Sequence, residues 1–104
     1  MKKTYNKLVR DKIPEIIKKA GKKCNTKILD DKEYLEFLDQ KLNEECNEYQ
    51  ESKEIEEVVD ILEVLQNIAK ARGYSWAEVE NIRKEKVEKR GSFNDKIFLE
   101  DVIE

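Results

Sequence analysis

The stretch from Lys41 to Leu65, KLNEECNEYQESKEIEEVVDILEVL, leaves this chain few folds to choose from. Its apolar residues recur at spacings of three and four on both sides of Ser52-Lys53, which reads as two helices joined by a tight turn. Within it lie two carboxylate pairs three residues apart, Glu45/Glu48 and Glu57/Asp60. Residues three apart on a helix are neighbours on one face. The pairs are also disposed symmetrically about the turn. Antiparallel helices therefore set Glu48 level with Glu57 and Glu45 level with Asp60, and four carboxylates meet across one seam.

With 43% charged residues, carboxylates at helical spacing are ordinarily a solvated face. A wheel at about 100° per residue argues against that here. In the first helix Leu35, Leu38, Leu42, Cys46 and Tyr49 form the apolar stripe, and Glu45 falls inside it. In the second, Ile55, Val58, Ile61, Leu62, Leu65, Ile68 and Ala69 define a broad apolar arc that encloses Glu57 and has Asp60 at its edge. Glu36, Asn43, Asn47, Glu56 and Glu63 point away. Buried charges need partners. The simplest partner for four convergent carboxylates is a hard divalent cation, Mg²⁺ above all, with Mn²⁺ as a substitute.

The chain has 104 residues, enough for one domain over 1–104 with a modest core. Only 38% of them are hydrophobic, so self-association is an expected way to cover apolar surface. Lys and Arg number 21 against 24 Asp and Glu, for a net charge of −3. That balance argues against a duplex nucleic-acid binder, whose mark is a basic excess on one face. There is no histidine, which removes Ser-His-Asp and Cys-His schemes and His-ligated zinc. Chemistry built here rests on carboxylates, lysines, arginines and metals. Cys24 and Cys46 form no CxxC pair, and Cys46 reads as a small buried hydrophobe. No apolar run approaches a membrane span and MKKTYNKLVR lacks a signal-peptide core, so the expected setting is a reducing cytoplasm without membrane attachment.

Taken in order, Lys7, Arg10 and Lys12 form a basic group suited to an anionic ligand or to ordinary solvation. Pro14 fits the first turn of a short helix ended by Gly21. Lys22 to Leu29 leaves two readings, a short strand or an extended link. Asp30 and Glu33 form a capping-box pattern that opens a helix to about Glu51. Ser52 is expected to cap the next helix, which runs to Arg72 before Gly73. Ser75 and Glu78 form a second capping box, opening a helix to about Arg90 that Gly91 ends. Phe93 to Leu99 alternates enough for a short strand or an ordered arm.

Glu44-Glu45-Cys46-Asn47-Glu48 followed by Glu57-Val58-Val59-Asp60 resembles the EExxE…ExxD pattern of the all-α nucleoside triphosphate pyrophosphohydrolases. That group includes MazG-like proteins, phosphoribosyl-ATP pyrophosphohydrolases and the dimeric dUTPases. The opening YNKLVRDKIPEII and the run Lys86 to Phe93, KVEKRGSF, look like the single-domain, MazG-related, phosphoribosyl-ATP pyrophosphohydrolase-like subgroup. The resemblance implies an all-α fold, an antiparallel helix-hairpin bundle with short extended N- and C-terminal segments, assembled as a homodimer or homotetramer. It implies Glu45, Glu48, Glu57 and Asp60 as Mg²⁺ ligands. The implied reaction is hydrolysis of the α–β phosphoanhydride of a nucleotide to monophosphate and pyrophosphate, in a house-cleaning role. Glu44 and Glu45 are the candidate catalytic carboxylates, Glu44 in a supporting role because the wheel turns it from the seam centre. Lys86 and Arg90 match basic positions that meet phosphates in similar proteins, with Arg10 and Lys7 as further candidates. The base is either a metal-activated water or a carboxylate of the cluster. The competing expectations are a non-catalytic metal- or nucleotide-binding regulatory module and a plain oligomerisation module.

Overall fold

Asp30 starts the long helix of this chain: its carboxylate accepts a 2.8 Å hydrogen bond from the Glu33 amide, the forward half of the expected capping box. The computed structural model describes all residues 1–104. It is all-helical, with α1 over Ile13–Lys19, α2 over Asp31–Ser52, α3 over Ile55–Ala71 and α4 over Trp76–Arg90. Pro14 sits in the first turn of α1, where its missing amide costs no bond. The segment from Lys22 to Leu29 is an extended link and the residues after Gly91 form an arm; neither contains a strand.

The α2–α3 turn is tighter than a capped restart. Lys53 adopts a left-handed conformation (φ 59°) and returns its amide to Tyr49 O, ending α2. Ser52 is therefore the last residue of α2 and not the cap of α3, whose N-cap position is held by Glu54 without a side-chain hydrogen bond. The Ser52 hydroxyl instead accepts from the Glu54 amide at 3.2 Å and braces the turn. Helix α3 then runs back along α2: Tyr34 donates to Asn67 at 3.4 Å and Arg72 approaches Asp39 at 3.9 Å. The hairpin is antiparallel, with Glu45 and Asp60 facing each other midway.

Helix α4 carries a complete capping box, with the Glu78 amide donating to Ser75 Oγ and the Glu78 carboxylate accepting from the Ser75 amide. It packs on α3 and makes no contact with α2. Because the cap is the main local device that fixes where α4 starts, Ser75→Ala is expected to cost about 1 kcal/mol. Urea unfolding followed by circular dichroism would measure that loss.

A single chain hardly forms a core. Only Leu38, Val64 and Glu45 are buried. The radius of gyration is 18.5 Å, whereas a compact chain of this length has about 13 Å. The accessible surface is 9900 Å², against about 6,100 Å² for a compact monomer of this mass. The expected apolar arc of α3 divides accordingly. Val64 is buried, while Ile55, Val58, Leu62 and Leu65 remain exposed, because α2 covers one side of α3 and the contact with α4 leaves these four residues open. The all-α expectation is met, and within one chain α2 and α3 form an antiparallel hairpin with α4 packed on α3.

Candidate metal centre

Glu45 is buried because its place in the α2 stripe turns it into the hairpin seam, where it is 6% exposed. Its carboxylate belongs to two groups at once. Oxygens of Glu45, Glu57 and Asp60 lie within 4.8 Å of one another, and so do oxygens of Glu44, Glu45 and Glu48. The first group spans the two helices and the second runs along α2. All four carboxylates expected at the seam are thus gathered, with Glu45 as the shared member. Glu44, which the wheel turned away from the seam centre, joins through the α2 group.

Three cations of the same chain meet these acids. Lys7 donates to Glu44 Oε1 at 3.0 Å, and Arg10 donates to Asp60 Oδ1 at 2.7 Å. Both come from the segment before α1, so that segment is tied across the hairpin by its basic side chains. Lys41 lies 3.3 Å from Glu44 Oε2 and 3.3 Å from Glu45 Oε1. Lys41 escaped the sequence reading, although it stands three and four residues before the two glutamates on one helix face, where such pairs form. The outward residues behave as expected: Glu36, Asn43, Asn47, Glu56 and Glu63 are exposed. Cys24 and Cys46 are free thiols, each half-buried, so Cys46 only partly meets the expectation of a buried hydrophobe.

The balance of charge is uneven. Burial, and then the adjacent Glu48 carboxylate, push the Glu45 pKa above the ordinary 4.5 despite Lys41. Burial also raises Glu44, but hydrogen bonds from Lys7 and Lys41 outweigh it and hold Glu44 below 4.5. The Glu44 hydrogen bond in turn raises Lys7 above 10.5. One atom remains without a partner: Glu45 Oε2 is buried and accepts no hydrogen bond. Leaving a buried charged oxygen unpaired is costly, and such an atom calls for an explanation.

An open cleft of about 250 Å³ adjoins the cluster, lined by Tyr5, Asn6, Lys7, Leu8, Phe37, Gln40, Lys41 and Glu44. It is smaller than the roughly 300–1,000 Å³ of whole-ligand pockets, so it suits one part of a ligand. Lys86 and Arg90 stand elsewhere. Both are exposed on the last turns of α4, neither pairs with an acid, and α4 does not touch α2. Within one chain, then, the basic groups brought to the carboxylates are Lys7, Arg10 and Lys41. No family model, no curated protein and no solved structure matches this chain.

Proposed function

We propose that the chain is a Mg²⁺-dependent nucleotide pyrophosphohydrolase of MazG-like type, cleaving the α–β phosphoanhydride of a nucleoside triphosphate or related nucleotide. The observation that carries this reading is the unpartnered, buried Glu45 Oε2 at the junction of two three-carboxylate groups. A seam designed only for packing has no use for it, whereas a divalent cation satisfies it directly. The donor set is all oxygen, which suits Mg²⁺ and Mn²⁺ and not the softer metals. Glu45, Glu48, Glu57 and Asp60 would hold the metal, with Glu44 paired with Lys7 and Lys41 as a supporting carboxylate. When bound, Mg²⁺ supplies neutralisation of phosphate charge and activation of water near neutral pH.

The chain's own residues do the rest. Lys7 and Arg10 are 41% and 55% exposed at their side chains, so their pairs with Glu44 and Asp60 are worth little and exchange readily. Once the carboxylates are neutralised from inside, these cations are free to turn to a phosphate chain lying over the cleft. There they counter charge that grows on the phosphoryl oxygens during cleavage. Tyr5 and Phe37 give the same cleft an aromatic wall for the nucleotide. Lys86 and Arg90 would reach the same phosphates only from another subunit or after a movement of α4. A house-cleaning role in the cytoplasm fits the resemblance.

The test is pyrophosphate release from canonical, deoxy and modified nucleoside triphosphates, with and without Mg²⁺, alongside thermal melting with Mg²⁺ alone. Metal-dependent release together with a higher melting temperature is expected, the metal stabilising the fold by about 2.7 kcal/mol at 100 times its dissociation constant. A second reading has one observation behind it, the three cations already paired with the acids. They would make the seam self-sufficient in a non-catalytic regulatory or oligomerisation module. That reading holds if Mg²⁺ leaves the melting temperature unmoved and no nucleotide is cleaved.

A further inference from the structure

Arg10 is the one cation that meets the carboxylate group spanning both long helices and comes from outside them. Its guanidinium donates to Asp60 Oδ1 at 2.7 Å, and Asp60 shares that group with Glu45 and Glu57. The other two cations are placed differently. Lys41 is a residue of α2 itself, 18% exposed at its side chain, and is held by Glu44 and Glu45 one turn along the same helix. Lys7 meets Glu44, which the inter-helix group does not include. Arg10 lies in the segment before α1, its side chain is 55% exposed, and α1 packs on neither long helix. Its hold on Asp60 is a single exposed ion pair.

We propose that Arg10 is a counter-ion gate: on Asp60 it holds the affinity for Mg²⁺ down, and a phosphate that draws it off Asp60 raises that affinity. The proposal rests on the metal reading above and adds that metal and phosphate bind cooperatively, with one arginine as the coupling element. Two opposed effects decide the sign. An arginine that orients a ligating carboxylate strengthens metal binding, whereas a positive charge beside the site repels a second cation. Orientation needs a fixed partner, and a pair whose side chains are 55% and 37% exposed fixes little. Repulsion needs only proximity, so it prevails. The alternative partner is close in sequence. Lys7, on the same segment, lines the open cleft beside the cluster, and a phosphate held there by Lys7 offers Arg10 an anion to exchange for Asp60. Coupling of this kind is reciprocal, so Mg²⁺ strengthens phosphate binding by the same factor. Free metal then fills the site poorly until a phosphate ligand comes with it.

Titration calorimetry of the full chain with Mg²⁺ alone, and again in inorganic phosphate, which chelates Mg²⁺ only weakly, tests the gate without calling on turnover. Arg10→Gln should tighten Mg²⁺ binding about tenfold in the absence of phosphate, inside the roughly 5–150-fold of coupled sites. Arg10→Lys keeps the charge and should bind Mg²⁺ as the parent does. Lys12→Gln removes an exposed lysine of the same segment and should leave the affinity unchanged, which separates a contact at Asp60 from net charge. Phosphate should tighten Mg²⁺ binding in the parent and not in Arg10→Gln. A weaker Mg²⁺ affinity in Arg10→Gln overturns the proposal and makes Arg10 a positioning group for Asp60. An unchanged affinity overturns it too, as does an equal gain in Lys12→Gln or an equal response to phosphate in parent and variant. Those results leave the metal reading standing, because the metal still binds. Absence of Mg²⁺ binding from the parent and from Arg10→Gln alike removes the metal reading and the gate together.

Discussion

Glu45→Gln is expected to reduce Mg²⁺-dependent pyrophosphate release by about 100-fold or more, and at the same time to stabilise the metal-free protein. The two effects share one cause. Even residues that only support metal ligands cost about 10–100-fold when removed, and Glu45 belongs to both carboxylate groups, so its loss should reach or pass the upper figure. Without metal, the same carboxylate is a liability. It is buried, Oε2 has no partner, and Glu48 repels it. A neutral amide of the same shape removes the repulsion and can donate to the neighbouring acid. Lys41 loses one partner but keeps Glu44 at 3.3 Å. An unpaired buried polar group costs about 1–3 kcal/mol, so the metal-free variant should gain an amount in that range. Melting curves with and without Mg²⁺ read both signs at once. The parent should be the more stable protein in Mg²⁺, and the variant the more stable one in chelator. A variant that lost stability under both conditions would mark Glu45 as an ordinary structural residue.

That outcome would also judge the sequence reading, whose strengths were local. The capping residues Asp30 and Ser75, the stops at Gly73 and Gly91 and the hairpin turn at Ser52-Lys53 all depend on a few neighbouring residues. Short-range patterns report such features well. Glu45 was legible because a charged residue inside an apolar stripe contradicts the pattern around it. Ser52 was misplaced because a left-handed lysine ended α2, and no glycine or asparagine at position 53 announced it. Lys41 was visible in principle through its spacing from Glu44 and Glu45.

The long-range features were not readable in this way. The basic residues Lys7 and Arg10 could be picked out, but their partners Glu44 and Asp60 lie 37 and 50 residues away. Lys86 and Arg90 show the same difficulty in reverse, since their value depends on where α4 goes, and it goes to α3 alone. The α3 residues read as one broad apolar arc, of which the chain buries only part. A wheel shows that a residue is on an apolar side, but it cannot show whether the chain itself supplies a neighbour for that side.

Acidification from neutral pH should strengthen the metal-free fold and weaken Mg²⁺ binding together. Glu45 has its native pKa raised above 4.5. Between 4.5 and that raised value the native state binds a proton that the unfolded state does not, so stability rises as pH falls through the window. Below 4.5 the sign reverses. Glu44 is held under its ordinary value, so its contribution is fully present above 4.5 and is lost as pH falls through its native value. The metal-free protein should therefore be most stable under mildly acidic conditions, between the two titrations. Lys7 does not interfere, because its raised pKa contributes stability that is lost only at pH above 10.5. On the proposed metal reading Mg²⁺ would compete with the proton for Glu45, so its affinity should fall by up to about tenfold per pH unit below the native Glu45 value. Melting temperatures across this range, with and without a fixed Mg²⁺ concentration, should give two curves that converge as pH drops. In Glu45→Gln the acid-side gain should vanish from the metal-free curve while the loss below 4.5 remains. If the parent's metal-free curve fell steadily from neutrality, Glu45 would not be the buried acid described above, and the metal reading would lose its main support.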